Sequence, residues 1–329
     1  MNRKKSNTAV FLFAAGVFCA VFLAALFFGG THIPFGEAVH GIFGKGSGNV
    51  SVIMRAVRLP RVAASVIAGA GLSVSGVLLQ AVTDNGLASP NIIGINSGAG
   101  FLTIIFLFFF PKAVGALPVA AFCGAFCAAA LILFIAKRIG NSKGSVILAG
   151  MALTALLNGG ISFVSVLDSD VLASYNYFSV GGLSGVQMRS LWLPACFVFV
   201  SWGVALLFAS RISVLSLGDG VAASLGIRVS ALRLTCLICA SASAAAVVSF
   251  AGLLGFVGLV VPHILRRLLG GNVRACIAAA PLVGGALVTV ADLLGRVIIA
   301  PGEVPVGIVM AFVGAPFFLV LLLRREKHA

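Results

Sequence analysis

The chain has 329 residues, of which 60% are hydrophobic and 9% charged, and it carries a net charge of +14. So apolar a composition leaves too little polar surface to cover a water-soluble globule of this length. The 22 Lys and Arg are scattered at the ends of apolar runs and form no aromatic-interleaved basic patch, which argues against nucleic acid as a partner.

Apolar runs of membrane-spanning length recur from end to end, so the chain reads as an all-α polytopic membrane protein of about ten helices. It forms a single domain over 1–329, with membrane lipid as its solvent. In chain order, the first run, Val10–Phe28, follows Arg3, Lys4 and Lys5. It exceeds the roughly 7–15 apolar residues of a cleaved signal core, and so reads as a retained span. A segment at 29–61 leads to the second run, Val62–Val82, where Ser65, Ser73, Ser75 and Gln80 lie among glycines. That is the composition of a helix packed closely against its neighbours. The stretch TDNGLASPNIIGINSGAG, Thr83–Gly100, resists a continuous helix through Pro90 and its Asn and Gly residues. Non-helical backbone at membrane depth is tolerated where protein covers it or where it lines a cavity.

Spans three to six are Ile92–Phe110, Leu117–Ala136, Ser145–Leu167 and Leu191–Ala209, with a second long outer segment at 168–190. The loop 210–230 contains SLGDGVAASLG, which reads as a short helix. Asp219 is placed to cap its start, Val221 and Leu225 fall on one face, and Gly226 is placed to end it. Spans seven to ten are Ala231–Phe250, Leu253–Leu269, Ala275–Leu294 and Val306–Leu323. The join at Ala251–Gly252 forces spans seven and eight to turn back tightly. Small-residue-rich helices beside glycine-containing breaks occur in both halves, a pattern compatible with an inverted repeat.

With the N-terminus inside, cytoplasmic segments carry fifteen of the 22 Lys and Arg and outer segments seven. That bias places both termini and the 210–230 loop on the cytoplasmic side of the membrane. Of the eight acidic residues, none lies mid-span; Asp292 comes closest and sits four residues before Arg296, the spacing of a helical ion pair. A proton- or sodium-coupled relay has no carboxylate to run on. The four histidines show no metal-ligand spacing, His263 beside Pro262 reads as structural, and the cysteines read as apolar filler within spans. No phosphate-binding loop occurs. No catalytic residue, bound metal or cofactor is expected.

The stretches RLPRVAASVIAGAGLSVSGVLLQ, NGLASPNIIGINSGA, FAGLLGFVGLVVPHILRRLLG and ADLLGRVIIAPGEVPVGIVMAFVGAPFFLVLLLRR run in order from about Arg58 to Arg325. Together they closely resemble the FecCD/BtuC-like permeases that import ferric siderophores, haem and vitamin B12 by ATP-binding-cassette (ABC) transport. The resemblance implies the ten-helix permease fold of type II ABC importers. It also implies a dimer with a second copy or a paralogue, two cytoplasmic ATPase subunits that use ATP and Mg, and an extracytoplasmic substrate-binding protein. By the same resemblance, Asp219, Gly220, Val221, Ala222, Leu225 and Gly226 form the helix that contacts the ATPase. Arg58, Arg61 and Arg296 fall where the family docks glutamates of the binding protein. Asn85, Leu87, Lys143 and Gly144 map to the inner gate, and Asn158, Ser162 and Met310 to the pathway walls. The sequence departs from the family at Gly86, where proline is usual, and at Gly220, where an acid is common.

The reading that results is a permease for a metal chelate, with ferric siderophore first and haem or cobalamin behind. An ion-coupled secondary transporter is the alternative, and it needs an ionisable site at mid-bilayer. A permease for bare zinc or manganese needs clustered His and carboxylate ligands. A non-transporting scaffold would bind the ATPase and move nothing.

Overall fold

The computed structural model describes residues 2–31, 33–44, 48–91, 94–139, 143–300 and 302–326, and no strand occurs among them. Fifteen α-helices follow in order: α1 (Asn2–Phe27), α2 (Phe35–Ile42), α3 (Gly48–Val52), α4 (Leu59–Thr83), α5 (Ile95–Phe109), α6 (Leu117–Ile139), α7 (Lys143–Leu167) and α8 (Ser169–Val180), then α9 (Met188–Leu207), α10 (Ala209–Leu215), α11 (Asp219–Ser224), α12 (Val229–Ala251), α13 (Val257–Leu269), α14 (Val273–Val297) and α15 (Val306–Glu326). The ten apolar runs fall on α1, α4, α5, α6, α7, α9, α12, α13, α14 and α15. Seven helices among the described residues are long and apolar enough to cross a membrane by themselves.

Two of the others fall short of a full span, which corrects the boundaries read from hydropathy. Helix α5 starts at Ile95 rather than Ile92, with Ile92 itself outside the described residues, and α13 starts at Val257 rather than Leu253. With 15 and 13 residues, they are about 22 and 20 Å long, short of a hydrocarbon core of about 30 Å. Each begins inside the bundle after a non-helical break whose last residue is left-handed, Gly94 (φ 75°) before α5 and Phe256 (φ 64°) before α13. A bulky residue with positive φ is a strained exception. Phe256 is accommodated because Gly314 of α15 has no Cβ, which would lie 2.3 Å from the Phe256 Cβ. The two breaks meet: a Cβ on Gly258 would lie 3.0 Å from Pro90, and one on Gly255 3.4 Å from the Asn91 amide nitrogen. Protein therefore covers the irregular backbone, as lipid requires.

Helix α4 is the central pillar, and nearly all of its residues are buried. A π-helical turn at Ile53–Arg58 joins it to α3. Its glycines let other backbones touch it. A Cβ on Gly69 would stand 2.0 Å from the Gly284 carbonyl of α14, and one on Gly76 the same distance from the Gly258 carbonyl of α13. Hydroxyls bond across these crossings, as expected where lipid supplies no hydrophobic drive. Ser65 meets Thr289 at 2.8 Å, Ser73 donates to the Ala280 carbonyl at 2.7 Å, and Ser243 of α12 donates to the Gly71 carbonyl at 3.0 Å. His263 packs edge-on against Phe317 with centroids 5.8 Å apart, joining α13 to α15.

Candidate functional site

Polar side chains gather at the two ends of α4. At the N-terminal end, Arg61 directs Nε at both carboxylate oxygens of Asp292 (3.0 and 3.2 Å) and Nη1 at both of Glu303 (2.8 and 2.7 Å). Arg296 approaches the same Asp292 at 3.0 Å and donates to the Ala25 carbonyl at 3.1 Å. Arg58 donates to the carbonyls of Leu26 (3.2 Å), Phe27 (2.6 Å) and Thr31 (2.5 Å). The last carbonyls of a helix have no partner within it and carry the negative end of its dipole. Arg58 and Arg296 satisfy that end of α1 and tie it to α4 and α14.

All three arginines are buried. The sequence places them at an outer docking face; here their guanidiniums are engaged within the chain. Among their partners, the Glu303 side chain is 42% exposed and that of Asp292 only 1%.

At the C-terminal end of α4, Gln80 accepts a hydrogen bond from Arg266 of α13, and its amide donates to the Gly258 carbonyl at 3.5 Å. A cavity of about 130 Å³ opens beside this pair and is lined by Asp84, Ser216, Pro262 and Cys276 among others. Asp84 ends α4 in the left-handed region (φ 49°). The loop then turns on Asn85, whose side-chain oxygen accepts from the Leu87 N–H at 2.9 Å and whose carbonyl accepts from Ala88 at 3.0 Å. Asn85 and Leu87 are both half-buried there. Helix α7 starts at Lys143, and the side chains of Lys143 and Gly144 lie outside the described residues.

The helix read from SLGDGVAASLG is α11, six residues long. Its capping is corrected: Gly218 (φ 117°) is the N-cap residue, and Asp219 is the first helical residue and caps nothing. The Asp219 carboxylate instead takes two hydrogen bonds from Arg233 Nη2, both 2.9 Å. Arg233 lies in the second turn of α12, is buried, and donates through Nε to the Val82 carbonyl of α4 at 3.2 Å. Val221 and Leu225 are exposed together with Leu217, whereas Ala222 is fully buried beneath them and anchors the helix. Gly220 has open space around it, and Gly226 takes the positive φ (79°) that ends the turn.

Asn158 and Ser162 are exposed on α7. Met310 is fully buried in the core, which corrects its place on a pathway wall; the exposed side chains of α15 nearby are Phe312 and Val313. No group of three His, Cys, Asp or Glu near enough to hold a metal occurs among the described residues.

Sequence reasoning missed Arg233 and the Gln80–Arg266 pair. The signal was a lone arginine inside the start of an apolar span, which counts toward topology but also demands a buried partner.

The sequence model of the FecCD transport family matches residues 17–324. A Bacillus subtilis relative named as an Fe(3+)-citrate import system permease protein is 37% identical over 82% of this chain and 81% of its own length. The achromobactin transport system permease protein of Dickeya dadantii is 37% identical over 94% of this chain and 89% of its own. Among solved structures, a metal-chelate type ABC transporter in an inward-facing conformation superposes with a TM-score of 0.86 at 26% identity, covering 96% of this chain and 99% of that one.

Proposed function

This chain belongs to the FecCD transport family, and on that premise we propose that it is the membrane permease of an ABC importer whose cargo is a ferric siderophore. Relatives named for ferric citrate and achromobactin support a chelated ferric ion as the cargo class. The permease performs no covalent chemistry. ATP, with Mg, is hydrolysed by two partner ATPase subunits, and a substrate-binding protein delivers the chelate from outside.

One observation carries the coupling role. The loop between α10 and α12 exposes Leu217, Val221 and Leu225, spaced four residues apart along its six-residue helix and the two flanks, while Ala222 is buried. A short apolar face on an otherwise polar loop is the kind of surface that marks a protein contact. We assign it to the ATPase, which places α11 and both termini in the cytoplasm.

The exposed apolar side chains of α7 (Leu148, Met151, Leu156, Phe163) and of α15 (Phe312, Val313) suit a second permease across the pathway. Asn158 and Ser162 are the polar groups on that wall. At the outer end, a carboxylate of the binding protein reaches Arg61 by exchanging with the half-exposed Glu303, while Arg58 and Arg296 hold the ground beneath it.

The test is Leu225→Asp. The variant inserts normally and loses co-purification with the ATPase; retained co-purification refutes the role of α11. Uptake of radiolabelled ferric siderophores, hemin and cobalamin by a deletion strain carrying the gene identifies the cargo, and uptake of hemin or cobalamin alone refutes the siderophore assignment.

A further inference from the structure

Arg233 bridges two parts of the molecule, α11 and the end of α4. Its guanidinium presents Nη2 to the Asp219 carboxylate of α11 and Nε to the carbonyl of Val82 in the last turn of α4. Thr83, the last residue of α4, and the cap residue Asp84 lead directly into the turn that carries Asn85 and Leu87. We propose that Arg233 is a positioning residue that links the ATPase-facing helix to the 84–91 segment, so that a displacement of α11 moves the start of that segment with it. The proposal rests on the reading of α11 as the ATPase contact.

The geometry favours a stiff link over a merely stabilising one. An arginine guanidinium is planar and rigid, and its donors are fixed relative to one another. Two hydrogen bonds at 2.9 Å hold the carboxylate to one nitrogen, and that carboxylate belongs to the first residue of α11. The bond from Nε is buried and ends on a carbonyl that the α-helix itself leaves unpaired. The carboxylate faces solvent on one side, with 48% of the Asp219 side chain exposed, whereas Arg233 is 6% exposed. A buried cation bridging an exposed lever and a buried helix end transmits motion through two contacts. Lysine, with a single ammonium, is too compact a donor to reproduce both at this spacing. Asp84, at the start of the linked segment, shares the cavity beside Gln80 and Arg266, so the segment has room to shift.

The experiment is hydrogen exchange by mass spectrometry on the permease assembled with its ATPase, compared without nucleotide and with ATP plus vanadate. In the wild type, exchange changes in both 216–226 and 84–91. In Arg233→Gln, Arg233→Lys and Asp219→Asn, the change in 216–226 persists while that in 84–91 falls at least fivefold. The double variant Asp219→Asn/Arg233→Gln behaves like either single one, because both remove the same link. Asp219→Asn alters a half-exposed side chain and serves should the arginine variants not fold. An undiminished response of 84–91 in these variants, or additive losses in the double variant, overturns the link while leaving the ATPase contact intact. Retention of the ATPase by Leu225→Asp, or a wild-type 216–226 that ignores nucleotide, refutes the contact itself and the link with it.

Discussion

Replacing Asp292 with Asn keeps the shape of the side chain and removes the charge that holds two buried arginines. The carboxylate lies 3.0 Å from Arg61 Nε and 3.0 Å from Arg296 Nε. At that separation each attraction is about 5 kcal/mol for an effective dielectric of 20, and much of it offsets the dehydration of three charged groups. The variant leaves Arg61 with Glu303 and leaves Arg296 with backbone carbonyls of α1. Removing one member of a buried pair typically costs about 3–5 kcal/mol. At roughly 2 °C per kcal/mol for a chain this long, the unfolding midpoint falls by about 6–10 °C. In a background with Cys19, Cys123, Cys127, Cys196 and Cys239 replaced by Ser or Ala, a thiol-reactive fluorophore in detergent reports the transition through Cys236 and Cys276, both buried in the folded protein. The triple change Arg61→Met, Asp292→Leu, Arg296→Met recovers much of the loss, because apolar side chains of similar volume need no partner. An Asp292→Asn midpoint within about 1 °C of wild type refutes the structural role and returns these residues to docking alone.

Gly69→Ala drives a methyl to 2.0 Å from the Gly284 carbonyl, so α4 and α14 must part by more than about 1 Å, at a cost of roughly 1–3 kcal/mol. Gly220→Ala meets nothing within 4 Å and leaves the same midpoint unchanged or raised, since alanine favours helix by up to about 1 kcal/mol. Ser65→Ala strands the buried hydroxyl of Thr289 and destabilises by about 1–3 kcal/mol; adding Thr289→Val removes the unmatched group and restores part of that. Equal midpoints for the single and double variants refute the pairing.

The ten apolar helices and the place of α11 were legible because they rest on local patterns. Apolar run length identifies helices in lipid, and a four-residue spacing puts Val221 and Leu225 on one face whatever surrounds them. The shortness of α5 and α13 was not legible. The residues just before they begin, Gly94 and Phe256, sit within apolar sequence, and hydropathy does not register the sign of φ. The arginine cluster was hidden for another reason: Arg61 meets Asp292 and Glu303 across 231 and 242 residues of sequence. A cation at a span end looks the same whether it faces headgroups or a distant carboxylate. Met310 was misplaced because α15 is apolar on nearly every side, so no periodicity tells its buried face from its exposed one. At Asp219, local capping preference competed with a buried guanidinium on the next helix, and the charge pair prevailed.

The unlike fastenings along α4 indicate which parts of the permease can move. At one end the pillar is held by Arg58 and Arg61, with Arg296 of α14 beside them, two carboxylates and the carbonyls of α1. Along its length it meets α13 and α14 backbone on backbone at Gly258 and Gly284. Contacts that close leave no side chain to change rotamer, so sliding by even part of a turn would drive carbonyls into each other. Helices α4, α13 and α14 therefore act as one body with α1 attached. What remains adjustable is fastened more lightly. These parts are α11, held by Arg233 and the buried Ala222, the 84–91 segment that follows the last turn of α4, and the exposed face of α7. A cycle driven from outside this chain has to act through those parts, and α11 is the one among them that exposes an apolar face on a helix too short to cross a membrane.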